Sequence, residues 1–325
     1  MPHSRHVLVI GGTGFLGYYA VNELSSRGWG VTALGLPNTS LESLYPAATK
    51  IIHHNLDKTS DPDMLEILYA HTALVYAAGA DDRITPKKPA YPFFHHANVE
   101  TCVRVLGLAK QAGITRAVVL GSYFAHFNRK WPELRLAERH PYIRSRVEQE
   151  LAVTSIAGIG VDVLELPYIF GGIPVLGWKS LWMPLLKYIR STPVVLYMKG
   201  GSACIAVKSV GQAIAGALEL RETGNFYPIG DQNLTWSELL TRLAAADGRK
   251  IQVVSLPTWL VKFGLYGLWL VHQCQGREGG LDPRYFATLQ TAETFIDPNL
   301  SMNVLGYQTG GLDQAFHETL LSSYS

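Results

Sequence analysis

Cysteine and net charge are both scarce in this chain. Its 325 residues contain three cysteines, Cys102, Cys204 and Cys274, which are too few and too far apart to indicate a disulfide framework or a zinc site. The adjacent histidines at 53–54 and 95–96 point in different directions on a strand or a helix, so each pair is a poor chelate. We therefore expect no metal ion. The formal net charge of +2 creates no strong field for nucleic acid, and we expect no such partner.

Long apolar runs are also missing. A membrane-spanning helix needs about 20 apolar residues, and the most apolar segment, 259–271, is shorter and contains Lys262. This segment favours a buried or pocket-lining helix, with contact at a membrane surface as the alternative. The first predicted strand begins at His6, which leaves no room for a signal peptide. We therefore expect a cytoplasmic protein that makes no membrane contact.

The most informative segment that is present is a glycine-rich turn. Gly11-Gly12-Thr13-Gly14-Phe15-Leu16-Gly17 follows the apolar run His6–Ile10 and opens a helical pattern over 15–27. In a strand–turn–helix of this kind, the three glycines permit a tight turn, close approach of the backbone to a phosphate, and close packing of helix on strand. The helix N-terminus adds unpaired N–H groups and partial positive charge. The segment therefore predicts a pyrophosphate site for a dinucleotide.

Apolar runs alternate with helical patterns through the first half of the chain. The runs that predict strands are 6–10, 31–34, 51–54, 72–78, 117–120 and 161–166. Several are apolar throughout, as expected for a parallel sheet with both faces covered. A helix is predicted over 98–112, where Gly113 ends it. The alternation predicts an α/β fold with a Rossmann-type doubly wound parallel sheet.

The second half of the chain has a different texture. Glycines, prolines and tryptophans crowd 171–193, and Thr235 with Glu238 forms a capping box that starts a later helix. This change predicts a smaller, irregular substrate-binding part. The division that we expect is a dinucleotide-binding domain at 1–170, to which 200–230 returns, and a substrate-binding part at 171–199 and 231–325.

Further motifs follow the glycine turn in a characteristic order. They are Ala77-Ala78-Gly79, Asn98-Val99-Glu100-Thr101, Tyr142-Ile143-Arg144-Ser145-Arg146, Pro167-Tyr168-Ile169-Phe170-Gly171, and Phe295-Ile296-Asp297-Pro298 with Leu305-Gly306-Tyr307. The whole series resembles the extended short-chain dehydrogenases/reductases, which include nucleotide-sugar epimerases and dehydratases, dihydroflavonol reductases and hydroxysteroid dehydrogenases. The resemblance implies cofactor contacts at Gly11, Thr13, Gly14, Phe15, Leu16, Gly17, Leu36, Asn38, Asn55, Leu56, Ala77, Ala78, Gly79, Asn98, Pro167 and Ile169.

The resemblance also gives Tyr142 the catalytic proton. In this superfamily a tyrosine hydroxyl gives or takes the proton, and a lysine four residues later lowers its pKa; here that position holds Arg146. Residues four apart share a helix face, so Arg146 keeps the position of the lysine beside Tyr142. Arginine also keeps the positive charge, although it does not readily release a proton. Arg146 is expected to hold the ribose and to favour the phenolate of Tyr142. The alternative is a surface arginine paired with Glu150, just as Arg144 would pair with Glu148.

Two residues compete for the role of orienting the substrate oxygen. The superfamily places Ser or Thr after the fifth strand, where this chain has Gly121-Ser122-Tyr123. Ser122 is the leading candidate, and Tyr123 is the second because the serine stretch of the superfamily can be aligned on either residue. The structural alternative for Ser122 is a turn hydroxyl that bonds the local backbone.

Neither of the usual signals for cofactor choice is present. An acidic residue after the second strand would favour NAD and an arginine would favour NADP, and 34–40 contains neither. The missing carboxylate and the polar side chains from Asn38 to Ser40 favour NADP over NAD. Asn55-Leu56 stands where the superfamily often has Asp-Leu near the adenine.

The function that we expect is an NAD(P)-dependent oxidoreductase, which reduces a carbonyl or oxidises an alcohol on a small, rather apolar molecule. Aromatic residues such as Trp178, Trp182 and Tyr188 would suit such a substrate if they line the pocket, but they suit the core equally well. The segment Asp81-Asp82-Arg83 is interpreted as a solvated loop near the site entrance.

Two other functions are compatible with the same motifs. A nucleotide-sugar epimerase or dehydratase would need a convergent basic pair for the diphosphate. The basic residues available for it are Lys179, Lys187, Arg190 and Lys208. A non-catalytic dinucleotide-binding sensor or scaffold is the other alternative, since the superfamily lysine is Arg146. A homodimer is expected by analogy alone.

Overall fold

The computed structural model describes residues 5–36, 42–173 and 180–321. Its strands are β1 His6–Ile10, β2 Gly30–Gly35, β3 Lys50–His53, β4 Ala73–Tyr76, β5 Arg116–Leu120, β6 Gly160–Glu165, β7 Tyr168–Phe170, β8 Val194–Met198, β9 Gly201–Ala206, β10 Phe226–Pro228, β11 Gln232–Thr235, β12 Gln252–Leu256 and β13 Glu293–Thr294. Its helices are α1 Phe15–Ser26, α2 Asp61–Tyr69, α3 Tyr91–His95, α4 Thr101–Gln111, α5 Tyr123–Lys130, α6 Leu136–Arg139, α7 Pro141–Thr154, α8 Met183–Ser191, α9 Val207–Glu219, α10 Trp236–Ala246, α11 Thr258–Cys274, α12 Pro283–Thr291, α13 Met302–Leu305 and α14 Leu312–Leu321.

Seven parallel strands form the central sheet in the order β10-β6-β5-β4-β1-β2-β3. The side chains of β4 are all buried, as are those of β1 beyond His6, because helices cover both faces of the sheet. Helices α1 and α9 pack on one face, and α2, α4 and α7 pack on the other. The predicted Rossmann-type sheet is confirmed, and all six predicted strands lie close to their expected bounds.

The remaining strands form two smaller sheets, which together are called the second layer. Strand β9 pairs with β7, β11 and β13, and β8 pairs with β12. Strand β10 returns to the central sheet beside β6, and α9 lies so close to α1 that a Cβ at Gly211 would be 2.9 Å from the Tyr19 carbonyl oxygen. The segment 200–230 is therefore shared, with its first strand in the second layer and its last strand in the central sheet. The capping box of Thr235 and Glu238 is confirmed at the start of α10.

Helix α11 contains the apolar segment 259–271, and the expectation that this helix is buried is wrong. None of its residues is buried, and the rings of Trp259 and Phe263 are largely exposed. The helix packs mainly along α12, which leaves most of its surface uncovered. None of the helices within the described residues combines the length and the apolar character that a membrane span needs.

Candidate active site

The glycine turn lies where β1 ends and α1 begins. Gly11 has a φ of 77°, and a Cβ at this position would lie 2.6 Å from the Ala77 carbonyl oxygen. A Cβ on Gly17 would overlap the Gly11 carbonyl oxygen, so α1 packs directly on the turn. The same junction of β1 and α1 contains the other residues of the turn that are predicted to contact a cofactor, which are Thr13, Gly14, Phe15 and Leu16. The glycines therefore let the turn, the end of β4 and α1 pack closely together. A helix N-terminus that follows such a turn offers backbone N–H groups that suit a pyrophosphate.

The turn 77–79 after β4 lies beside the glycine turn. Gly79 has a φ of 140°, and a Cβ there would lie 2.6 Å from Asn98 Oδ1. Asn98 is fully buried; its Oδ1 accepts from the Ala80 N–H (2.8 Å), and its Nδ2 donates to Ser145 Oγ (3.0 Å). Both ends of the amide are therefore engaged within the protein, and Asn98 fixes the turn that lies beside the glycine turn.

Arg146 lies inside the protein and joins two strand ends. Its exposed fraction is 7%. The guanidinium donates to the carbonyl oxygens of Ala80 (3.1 Å) and Leu120 (3.3 Å) and to Gln149 Oε1 (2.9 Å). The alternative of a surface arginine paired with Glu150 is therefore wrong. Because Leu120 ends β5 and Ala80 follows β4, one cation holds the ends of two neighbouring strands together.

Tyr142, near the start of α7, is buried between Ser122 and Arg146. Its exposed fraction is 6%, and Arg146 Cζ lies 5.2 Å from its ring centroid. Burial raises the pKa of Tyr142; the charge of Arg146 lowers it, that of Asp82 raises it, and hydrogen bonds with Ser122 and Arg146 lower it. The pKa remains above its ordinary value, so Tyr142 keeps its proton at neutral pH. The charge of Arg146 lowers the pKa of Tyr142, as expected, but by less than burial raises it.

Ser122, rather than Tyr123, is the hydroxyl beside Tyr142. Ser122 precedes α5 as its N-cap residue, and its Oγ accepts from the Phe124 N–H at 3.4 Å. It also lies close enough to Tyr142 to lower the pKa of that group. The Tyr123 hydroxyl instead lies 3.0 Å from Ser202 Oγ on β9. The geometry therefore supports Ser122 as the group that orients a substrate oxygen and places Tyr123 in a neighbouring polar cluster.

That neighbouring cluster also contains Tyr168 and Gln290. The Tyr168 hydroxyl accepts from Gln290 Nε2 (3.1 Å), and the Tyr168 ring lies 6.1 Å from the Tyr123 ring. Gln290 is buried, and its Oε1 has no hydrogen-bond partner within the described part of the chain. Gln290 on α12 is the member that the sequence motifs do not include. Because α12, β7 and α5 are far apart in sequence, no local pattern indicates that these residues meet.

Asp82 turns inward, which corrects the interpretation of 81–83 as a solvated loop. Asp81 and Arg83 form a partly exposed ion pair (2.6 Å), and Arg83 Cζ lies 5.9 Å from the Trp182 ring. Asp82 is close enough to Tyr142 for its charge to act on that group, and burial raises the pKa of Asp82 to about 6. At neutral pH, Asp82 therefore brings a negative charge to the site.

The residues expected to choose between NAD and NADP follow β2 and β3. Leu36 is exposed after β2, whereas Asn38 and its polar neighbours lie outside the described residues. Asn55 is half-buried after β3, and its Oδ1 accepts from the Asp57 N–H (2.9 Å). Leu56 packs against the core beneath the sheet edge. These positions lie at the same edge of the sheet as the glycine turn, where an adenosine would extend from the pyrophosphate.

The segment after β6 brings aromatic residues near the site. Pro167 is buried and Ile169 is half-buried, and Trp182 Nε1 donates to the Ile169 carbonyl oxygen (2.8 Å). Tyr188 is exposed, and Trp178 lies outside the described residues. Of the aromatic residues named from the sequence, Trp182 thus packs against the segment beside the predicted nicotinamide position.

Two of the basic residues considered for a diphosphate are each paired with a carboxylate. Arg190 is ion-paired with Asp247 (2.9 Å), and Lys208 is ion-paired with Glu318 (2.6 Å). The two remaining candidates are Lys187, which is exposed on α8, and Lys179, which lies outside the described residues.

A buried ion cluster lies beneath the strand ends, formed by Arg129, Glu150 and Glu165. Arg129 donates to Glu150 Oε2 (2.7 Å) and also to Glu165 Oε1. Both carboxylates are buried. Burial raises the pKa of each, and the charge of Arg129 lowers both. Glu150, which the sequence offered as a partner for Arg146, is therefore paired with Arg129 instead.

The histidines at 95 and 96 make ion-pair contacts rather than a chelate. His95 Nδ1 lies 3.0 Å from Glu100 Oε1, and His96 Nδ1 lies 2.9 Å from Glu100 Oε2. Over the residues with a described position, no group of three or more His, Cys, Asp or Glu side chains is arranged to hold a metal ion.

The sequence profile of the NAD dependent epimerase/dehydratase family matches residues 7–166. Residues 7–166 belong to this family. The matched segment runs from β1 to the end of β6, and it contains the glycine turn, Asn98, Ser122, Tyr142 and Arg146. No curated protein sequence matches the chain significantly.

Solved structures share the fold over nearly the whole chain. The protein gox2253 has 19% identity and a TM-score of 0.77, covering 98% of this chain and 97% of its own. The UDP-N-acetylglucosamine 4-epimerase from Bacillus cereus has 16% identity and a TM-score of 0.68, covering 98% and 96%. The UDP-glucose-4-epimerase from Stenotrophomonas maltophila, with bound NAD and formylated UDP-arabinopyranose, has 18% identity and a TM-score of 0.68, covering 99% and 100%. At these identities the likeness is one of fold.

Proposed function

We propose that this chain is an NAD(P)-dependent oxidoreductase that reduces a carbonyl on a small, rather apolar molecule. The observation that carries the proposal is the buried Tyr142 hydroxyl beside Ser122, at the edge of the parallel sheet where such folds bind ligands. A reduced nicotinamide, when bound, would supply the hydride to the carbonyl carbon. Tyr142 gives its proton to the carbonyl oxygen, and Ser122 orients that oxygen by a hydrogen bond.

The protonation of Tyr142 supports reduction as the direction. Its raised pKa keeps the phenol neutral at physiological pH, which is the form that donates a proton. Oxidation of an alcohol would need the phenolate, which burial and Asp82 both oppose. Arg146 acts as a positioning residue that joins the strand ends and tempers this rise in pKa, since a guanidinium is a poor proton relay.

The cofactor proposal rests on the glycine turn and on the residues after β2. The cradle at Gly11 and Gly17 suits a pyrophosphate, and the family is NAD-dependent. Residues 36–41 contain no carboxylate that would repel a 2′-phosphate. We therefore expect NADPH to bind at least as tightly as NADH, which a fluorescence titration of each cofactor checks.

The test of the catalytic role uses Tyr142→Phe. Purified protein is mixed with NADPH or NADH and a carbonyl probe, isatin or phenanthrenequinone, and dinucleotide oxidation is followed by absorbance. Tyr142→Phe should lower turnover about 100-fold or more, while its dinucleotide affinity stays close to that of the wild type. Unchanged turnover in this variant would remove Tyr142 from the proposed chemistry.

A nucleotide-sugar epimerase is the second candidate. The inward carboxylate of Asp82 and the unpartnered Oε1 of Gln290 could accept hydrogen bonds from sugar hydroxyls, and similar structures include UDP-sugar epimerases. UDP-glucose and UDP-N-acetylglucosamine are the probes for this arm. Formation of the C4 epimer without net dinucleotide oxidation would support it over carbonyl reduction. Tight dinucleotide binding with no turnover in either arm would instead favour a sensor or scaffold.

A further inference from the structure

Helix α11 is apolar on nearly every side, yet none of its side chains is buried. Its half-buried side chains include Val261, Leu265 and Trp269, which repeat at four-residue spacing along one face. Arg284 Cζ of α12 lies 4.8 Å from the Trp269 ring, so this inner face is the one that packs on α12. The remaining faces of α11 are open.

The opposite face of α11 carries an outer stripe of Trp259, Phe263, Tyr266 and Leu270. These positions follow the i, i+4, i+7, i+11 pattern of one helix face. Their exposed fractions are 69%, 75%, 50% and 46%. An ordinary surface helix places polar side chains on this face, so the outer stripe requires a covering that the chain itself does not provide in the described residues.

A basic rim borders the same helix, formed by Lys87, Lys88, Lys262 and Arg277. All four residues are exposed. The Lys88 ammonium donates to Gln273 Oε1 (2.6 Å), and Lys87 pairs through its backbone with Arg277, so the loop after β4 lies against the C-terminal end of α11. The rim therefore places positive charge beside the outer stripe.

The carboxylates of this region are turned away from the rim. Glu278 Oε2 accepts from the Ala90 N–H (2.7 Å). Asp282 is buried and paired with Arg284 (2.6 Å). The exposed charge beside the outer stripe is thus positive, and its complement is an anionic surface.

We propose that α11 docks this protein onto a lipid bilayer that contains anionic phospholipids, with the outer stripe at the boundary between headgroups and acyl chains. Tryptophan and tyrosine favour that boundary because each combines a flat apolar ring with a polar group. The basic rim contacts the headgroup phosphates. The 17-residue helix is about 26 Å long at 1.5 Å per residue and packs along α12, so it lies in the plane of the surface. This docking does not depend on the proposed reaction.

A second copy of the chain is a poorer fit to the same face. A twofold interface would bring this face against its own copy. The basic rim of one protomer would then face the basic rim of the other, and the like charges would repel. An anionic lipid surface satisfies the outer stripe and the basic rim together.

The test is flotation of the full chain with vesicles of phosphatidylcholine mixed with phosphatidylserine, and with vesicles of phosphatidylcholine alone. Wild-type protein should float with the mixed vesicles and bind the neutral vesicles more weakly. Phe263→Glu should weaken binding to mixed vesicles about tenfold or more. Lys262→Glu should weaken binding to mixed vesicles while leaving binding to neutral vesicles almost unchanged. The matched control is Tyr69→Glu, since Tyr69 is 66% exposed at the end of α2 and should not alter flotation.

A second measurement uses the wild-type fold. Phosphatidylcholine brominated on its acyl chains, mixed with phosphatidylserine, should quench the tryptophan fluorescence of the bound protein, and Trp259→Phe should remove much of this quenching. Failure of the wild type to bind mixed vesicles overturns the proposal, as does binding that Phe263→Glu leaves unchanged. A dimer in sedimentation equilibrium that Phe263→Glu converts to a monomer, without vesicle binding, would assign the outer stripe to a second copy instead.

Discussion

Replacing Arg146 by lysine restores the residue that the superfamily places four residues after its tyrosine, and it tests whether this site works with arginine. The Arg146 guanidinium spans three acceptors, the carbonyl oxygens of Ala80 and Leu120 and the side chain of Gln149, at 2.9–3.3 Å. A single ammonium cannot reach these separated acceptors with the same geometry. Arg146→Lys should therefore leave buried carbonyl oxygens without donors.

The size of the effect follows from these hydrogen bonds. A hydrogen bond to a charged group contributes about 1.5–3 kcal/mol, and an unsatisfied buried acceptor costs about 1–3 kcal/mol. With about two bonds lost, Arg146→Lys should lower the free energy of unfolding by about 3 kcal/mol. Because Arg146 fixes the turn 77–79 relative to β5, the turns beside the cofactor should also shift, and turnover should fall about 100-fold.

Urea denaturation followed by fluorescence measures the first effect, and NADPH titration with isatin turnover measures the second. Arg144→Lys is the matched control, since Arg144 lies two residues away on the same helix and forms a half-exposed pair with Glu148 (2.9 Å). That control should change the free energy of unfolding by less than about 1 kcal/mol. If Arg146→Lys is as stable as the wild type, or turns over faster, the reasoning is refuted and the site is one that has lost its lysine.

Three further predictions concern the neighbouring groups. Asp82→Asn removes a negative charge that raises the pKa of Tyr142, so the basic limb of the pH–rate profile for reduction should move down by about half to one unit; a profile that does not move would place Asp82 away from the reacting groups. Arg129→Met leaves the two raised-pKa carboxylates of the buried ion cluster without their cation. Stability from such groups is present below their unfolded pKa and is lost as pH rises, so the variant should lose about 3 kcal/mol near pH 8 and less near pH 5; equal losses in urea denaturation at both pH values would contradict this. Gly17→Ala places a methyl group on the Gly11 carbonyl oxygen and should weaken NADPH binding about tenfold or more. Unchanged titration curves would mean that the turn does not take part in binding the cofactor.

Helix α11 shows where sequence reasoning went wrong and why. The apolar content of 259–271 predicts a covered helix, because burial is the usual fate of such a segment. Whether a neighbour covers the helix depends on the path of the chain around it, which composition does not contain. The structure provides α12 along one face only, so Trp259 and Phe263 remain exposed.

Asp82 illustrates the same limit at the site. Its neighbours Asp81 and Arg83 make the segment look like a solvated loop, and two of the three residues do form a partly exposed pair. The middle residue, Asp82, instead lies where its charge acts on Tyr142, which belongs to a helix distant in sequence. A charge pattern along the sequence cannot report that position.

Sequence reasoning alone predicted the central sheet and the glycine turn, which is of the kind that binds a dinucleotide. Both follow from local rules: apolar runs covered on two faces, and glycines where Gly11 needs a positive φ and Gly17 needs contact without a Cβ. It also supplied the spacing of Tyr142 and Arg146, which one helix turn fixes. Three features became visible only in the folded molecule: Arg146 joins two strand ends, Ser122 lies close enough to Tyr142 to act on its pKa, and α11 presents an apolar surface. These outcomes depend on contacts between distant segments, and such contacts leave no periodic trace in the sequence.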